Sequence, residues 1–161
     1  MRLGVPHWPM ARIQNLEVLL APHELVRGRT ACRRDRHLDA LMAWGNKQSG
    51  RWAGQEAKRR KLQLWRCEDG FLRSLGSGKE HPPLGLVLDR VGIYYDTSQP
   101  SELDLLIQQQ ITEGERIRSK ALVRRWREAR LSKYNNAVEA EAPVQPFVLV
   151  VDQCYGDLSL E

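Results

Sequence analysis

The chain has 161 residues, 42% hydrophobic and 28% charged, which suffices for one packed domain or for one domain and the start of another. No apolar run approaches the roughly 18 residues of a membrane-spanning helix, and charges of both signs are interspersed, so no membrane span is expected. The net charge of +5 admits phosphates of any origin as partners without choosing among nucleic acid, nucleotide-sugars and lipid headgroups.

Residues 1–37 are the least readable part. Met1 to Met10 has no long apolar core or small-residue cleavage site, so a cytoplasmic location is the expectation. Ile13 to Leu20 is a short apolar run, helix-like or strand-like, ended by Pro22 and followed by a basic stretch from Arg27 to Arg36. Cys32 and His37 lie among Arg33, Arg34 and Arg36, which would repel a cation, and no CxxC or paired-His spacing exists, so no metal is expected. The cysteines, Cys32, Cys67 and Cys154, are odd in number and far apart, as reduced buried thiols would be.

From Leu38 the pattern becomes regular. Leu38 to Trp44 reads as a buried strand, Ser49 to Lys61 as a helix and Leu62 to Cys67 as the next strand, a βαβ order that predicts a parallel sheet. Pro82-Pro83 forces an extended path, after which Leu84 to Leu88 and Ile93 to Tyr95 are two β-prone runs that predict a hairpin. Ser101 is placed to cap a helix with Glu102 and Asp104 in its first turn. A second helix is expected from about Glu113 to Leu131, with arginines on its polar face and Ile117, Leu122 and Trp126 making its apolar contacts. Residues 135–146 look like a linker, and the β-branched run Phe147 to Val151 predicts a strand buried on both faces.

Several polar groups fall where these strands end, which is where open α/β sheets hold ligands. Gly45 permits an unusual backbone, Ser49 can cap the following helix, and Lys47 beside the exposed amides favours an anion, although an ordinary strand-to-helix turn explains the same residues. Glu68 and Asp69 suit sugar hydroxyls, and Arg73, followed by Ser74, suits a carboxylate held in bidentate fashion; an internal carboxylate–Arg pair fixing the turn is the competing reading. Tyr94, Tyr95 and Asp96 close another run, where packing is the plainer role. Asp152 and Asp157 flank Gln153 beyond the final apolar run.

Five segments in order, Trp44 to Gly50, Glu68 to Ser74, Gly92 to Asp96, Ser132 to Asn135 and Val150 to Asp157, resemble the capsule polysaccharide biosynthesis and export family, over roughly Leu38 to Ser159. The resemblance implies an α/β fold, a Rossmann-like lobe of a two-lobed GT-B-like glycosyltransferase. The activity implied is a β-Kdo transferase that moves Kdo, an eight-carbon keto-sugar acid, from CMP-Kdo onto a lipid-linked Kdo acceptor. On this reading residues 1–134 form the acceptor-side lobe, 135–146 the linker and 147–161 the first strand of a second lobe that the chain only begins. Asp157, in what resembles the family's Asp-Gln-Thr-x-x-Asp-x-Ser segment, is favoured as nucleophile over Asp152, and Cys154 replaces the usual threonine. Lys47, Ser49, Glu68, Asp69, Arg73, Ser74, Tyr95, Lys133, Asn135 and Gln153 are the implied substrate-binding residues. The family's donor-side His-Pro dipeptide is not His81-Pro82, which comes too early, so the chain alone is expected to be inactive. No cofactor is implied; the partners are a nucleotide-sugar donor, an anionic glycolipid acceptor and capsule assembly or export proteins, with peripheral contact to the inner membrane. A non-catalytic export component is one alternative, and a basic nucleic-acid-binding module is another, although only Trp126 and Tyr134 supply aromatics near the basic run.

Overall fold

A computed structural model of the chain describes residues 1–76, 80–141 and 143–151. Its frame is a five-stranded sheet built from β1 (Arg2–Val5), β2 (Glu24–Arg27), β3 (Ala40–Trp44), β4 (Gln63–Asp69) and β5 (Leu86–Asp89), in the order β2-β1-β3-β4-β5. The first four strands run parallel, with Gly4 beside Leu41 and Leu41 beside Leu64, whereas β5 pairs antiparallel with β4. Helices α1 (Trp8–Ala11) and α2 (Leu16–Leu19) connect β1 to β2, α3 (Arg29–Arg34) leads to β3, and α4 (Arg51–Arg60) crosses from β3 to β4.

The two-residue period of the strands sorts the core onto two faces. Leu3, Val5, Ala40, Met42, Trp65 and Cys67 pack with Met10, Leu16 and Leu20 from the first connection. Leu41 and Ala43 point the other way and meet Cys32, Leu38, Ala53 and Ala57. The sheet is thus covered on both sides, as a mostly parallel sheet must be, and the α/β architecture is the expected one. Cys32 and Cys67 are both buried, and burial raises both thiols, that of Cys32 to about 11.

Asp89 ties the sheet edge to the loop and helix beyond it. Its carboxylate accepts the N–H groups of Val91 (2.9 Å), Gly92 (2.7 Å) and Glu102 (3.0 Å). Helix α5 (Glu102–Ile107) starts there with a Ser101–Asp104 capping box, and α6 (Glu113–Glu128) starts with a Thr112–Glu115 capping box.

Four expectations need correction. The hairpin does not form: β5 lies against β4, because the antiparallel edge position satisfies its backbone, and Ile93 is buried within an irregular loop instead of a strand. Helix α6 buries no residue, and Ile117, Leu122 and Trp126 are exposed, so they do not make the expected apolar contacts. Phe147 to Val151 form no strand and are exposed, since no described strand lies alongside to complete their hydrogen bonds. Ser49 is not the cap of α4: a 3-10 turn over Gln48–Gly50 precedes that helix, so Ser49 lies inside the turn. The run from Ile13 to Leu20, read as helix-like or strand-like, holds helix α2, while strands β1 and β2 and helices α1 and α3 have no counterpart in the sequence reading.

Candidate functional site

The parallel strands end on one edge of the sheet, and Glu68, Asp69 and Tyr95 of the residues singled out from sequence lie there. Gly45 follows β3 with a left-handed φ of +49°, and its N–H donates to the Cys67 carbonyl at 2.9 Å, which carries the ladder one residue past the strand. A Cβ on Gly45 would lie 2.0 Å from the Tyr95 Oη and 3.0 Å from Glu68 Oε2. Glycine is required here by close approach as well as by φ.

Around that glycine a polar cluster forms. The Asn46 N–H donates to the Tyr95 hydroxyl at 3.2 Å, Arg66 Nε donates to Asn46 Oδ1 at 2.8 Å, and the Asn46 amide donates to Asp96. Burial and then the neighbouring Glu68 carboxylate raise the Tyr95 phenol above its ordinary value, while the hydrogen bond from Asn46 works in the opposite direction. Hydrogen bonds from Ser98 hold Asp96 below the usual carboxylate range. Tyr94 meets Tyr95 edge-on with ring centres 5.3 Å apart, and Phe71 lies 5.3 Å from Tyr94. The cluster therefore presents a phenol and a carboxylate, Tyr95 and Glu68, in a partly dry setting.

A second cluster begins one residue further along β4. Arg73 Nε donates to Asp69 Oδ1 at 2.9 Å, and Arg73 Nη1 donates to Ser74 Oγ at 2.7 Å and to the His81 carbonyl at 2.8 Å. Both partners of the ion pair are mostly shielded, at 14% and 19% side-chain exposure. The internal pair, one of the two readings of these residues, is thus present, and it fixes the turn after β4.

The segment after α6 returns to this turn. The Arg73 N–H donates to the Lys133 carbonyl (3.0 Å), Ser74 pairs with Tyr134 in a parallel bridge, and Asn135 Nδ2 donates to the Ser74 carbonyl at 3.2 Å. Arg73 and Lys133 both approach the face of the Tyr134 ring, at 5.8 and 5.9 Å. Residues some sixty positions apart in sequence are thereby brought together, and Asn135, itself bonded to the Ser132 backbone on both sides, is the clasp.

The structure thus unites Glu68 with Tyr95, and Asp69, Arg73 and Ser74 with Lys133 and Asn135. Lys47 is exposed beyond the end of β3. The side chain of Ser49 and the whole of Asp152, Gln153 and Asp157 lie outside the described residues. Sequence reasoning missed Asn46 and Arg66, whose roles depend on β3 and β4 being neighbours, and it missed His7, which lies just past the end of the unanticipated β1. The only local signal for His7 was the short apolar Leu3 to Val5 followed by proline.

A family model described as capsule polysaccharide biosynthesis protein matches residues 39–125, just over half of the chain. The capsule polysaccharide modification protein LipA of Neisseria meningitidis serogroup B is 32% identical, over 98% of this chain and 23% of its own length. The lipopolysaccharide-processing protein LpsZ of Rhizobium meliloti is 38% identical over 75% of this chain and 29% of its own. Among solved structures, the Thermosulfurimonas dismutans KpsC β-Kdo 2,4 transferase superimposes with a TM-score of 0.82 and 33% identity, covering 99% of this chain and 51% of that one. The β-Kdo 2,7 transferase structure of the same organism's KpsC, with a TM-score of 0.55 and 22% identity, shares the fold. The chain spans about a quarter of the length of the curated relatives it matches.

Proposed function

The chain belongs to the capsule polysaccharide biosynthesis family, and from that premise we propose that it supplies the acceptor-side lobe of a retaining β-Kdo transferase. The observation that carries this reading is the match of nearly the whole chain to half of a β-Kdo 2,4 transferase structure, at an identity that extends beyond shared fold. The donor is CMP-Kdo and the acceptor a lipid-linked Kdo.

Within this reading the residues have distinct tasks. Glu68 and Tyr95 meet at the end of the sheet, where a carboxylate and a phenol can orient the hydroxyls of an incoming sugar. The Asp69–Arg73 pair and its clasp to Ser74, Lys133 and Asn135 hold the turn that follows β4, next to Glu68 near the end of that strand. Asp157, with Asp152 as the alternative, is the proposed nucleophile. Its carboxylate attacks the anomeric carbon as the phosphate oxygen of CMP leaves with the bonding electrons. The acceptor hydroxyl then displaces the carboxylate and loses its proton, and two inversions give net retention. The donor-binding half must come from a second lobe, so the 161-residue chain by itself transfers nothing.

A chimaera tests the proposal. The chain replaces the matching half of the T. dismutans β-Kdo 2,4 transferase, and product is followed by mass spectrometry with CMP-Kdo and a Kdo-terminated glycolipid. One added Kdo per acceptor is expected, lost on Asp157→Asn. A folded chimaera that binds CMP yet transfers no Kdo overturns the reading, and transfer by the 161-residue chain alone overturns its incompleteness.

A further inference from the structure

The sheet order places the junction of β1 and β3 at a reversal: the chain leaves β1 toward β2 on one side and continues from β3 to β4 on the other. At such a reversal the connections diverge and leave a crevice beyond the carboxyl ends of the two strands. The residues beyond those ends are His7 after β1, Arg29 after β2 and Lys47 after β3. The strand register sets His7 level with Arg29, because Val5 pairs with Arg27 and the Gly28 N–H donates to the Val5 carbonyl at 2.9 Å; Gly4 opposite Leu41 sets His7 level with Trp44, with Lys47 three residues further along the chain.

The chemistry of this edge is one-sided. Arg29 and Lys47 are exposed, and neither makes an ion pair among the described residues. The guanidinium of Arg29 is steadied over the Trp52 ring at 5.1 Å. His7 Nδ1 is buried and has no hydrogen-bond partner among the described residues, a condition that costs free energy unless a bound group meets it. Burial first, and then the positive charges of Lys47 and Arg29, lower the His7 pKa from its ordinary value. Trp8, about half exposed, lies beside the Gly28 turn, its Cζ3 being 3.9 Å from where a Cβ on that glycine would sit.

We propose that this crevice binds an oxyanion of the acceptor, either a sugar carboxylate or a lipid phosphate, through Arg29 and Lys47, with His7 Nδ1 as the buried hydrogen-bonding group and Trp8 as the apolar wall. The nature of the ligand rests on the acceptor-side reading above; the site itself rests on the three side chains. It lies on the β1 side of the sheet, away from the Arg73 turn, so an acidic acceptor is gripped at one point while the hydroxyl to be extended reaches Glu68 and Tyr95.

Nuclear magnetic resonance titration of the 161-residue chain tests this without donor or transfer. The probes are a methyl β-Kdo glycoside, the neutral methyl ester of the same glycoside, and glycerol phosphate. Either anionic probe is expected to move the His7 ring and Gly28 amide signals, and the ester to bind at least about tenfold more weakly than the acid, as the loss of charge-assisted bonds requires. Binding by the glycoside identifies a sugar acid, and binding by glycerol phosphate alone identifies a lipid phosphate; both support the site. Arg29→Gln and Lys47→Gln are each expected to weaken binding several-fold, with unchanged urea unfolding as the control. Equal binding of acid and ester, no movement at His7 with either anion, or unaltered binding by the folded double variant overturns the proposal. A failed transfer assay leaves this result untouched, and failure here leaves the transfer reading standing.

Discussion

At Gly45 a left-handed backbone and the Tyr95 hydroxyl together exclude any side chain. Gly45→Ala is therefore expected to destabilise the chain by about 2 kcal/mol, the sum of αL strain and displacement of Tyr95. Gly54, within α4, has only Leu64 Cδ2 near its missing Cβ, at 3.7 Å, so Gly54→Ala is expected to stabilise by about 0.5–1 kcal/mol. Urea unfolding of the two variants checks the opposite signs; the same sign for both refutes the contrast between these glycines. The thiols and Tyr95 make a prediction about pH. Each holds its proton more tightly in the folded chain than in the unfolded one, so stability is full below the unfolded value and declines as pH rises through the folded one. For Cys32 that window opens at its ordinary value of 9.0 and extends to about 11, and the urea midpoint is expected to fall across it. A midpoint that stays level over that window contradicts the assigned burial.

Elements differ in how firmly they are held. Strands β3 and β4 are embedded in the sheet with cores on both faces, whereas α6 depends on its capping box, its (i, i+3) and (i, i+4) ion pairs and its own hydrogen bonds. Hydrogen exchange by mass spectrometry is expected to find the α6 amides exchanging much faster than those of β3 and β4; equal protection would show that something covers the helix. The turn after β4 is held differently, by Arg73. Arg73→Lys keeps the charge but loses the fork that reaches Asp69, Ser74 and the His81 carbonyl, so a loss of about 1–2 kcal/mol is expected by urea unfolding. These contrasts also explain what the sequence revealed. The βαβ unit from Ala40 to Asp69 is legible because β3 is a continuous apolar run ended by Gly45, helix formers follow it, and Leu62, Leu64, Trp65 and Cys67 mark the next strand. The start of α5 was legible from Ser101 with Asp104. Strands β1 and β2 are not, being four residues each with charged or proline neighbours; β1 owes its burial to the strands on either side of it, and β2 is an edge strand with no buried residue. The same lies behind the site: Glu68, Asp69 and Arg73 stand out locally, but the clasp to Lys133 and Asn135, and the meeting of His7, Arg29 and Lys47, exist only once distant strands are paired.

For the molecule as a whole, the sheet sets out a division of labour along one edge. The β1–β3 crevice presents cations, the β3–β4 end presents Glu68 and Tyr95, and the Arg73 turn braces the latter. On the function proposed above, a lobe of that kind is suited to an acidic acceptor. The most direct measurement is calorimetric titration of the 161-residue chain with a Kdo-terminated acceptor glycoside and, separately, with CMP. An acceptor-side lobe binds the glycoside saturably and shows no binding of CMP over the same concentration range. Saturable CMP binding with no acceptor binding would contradict that assignment, and would make this the donor lobe instead.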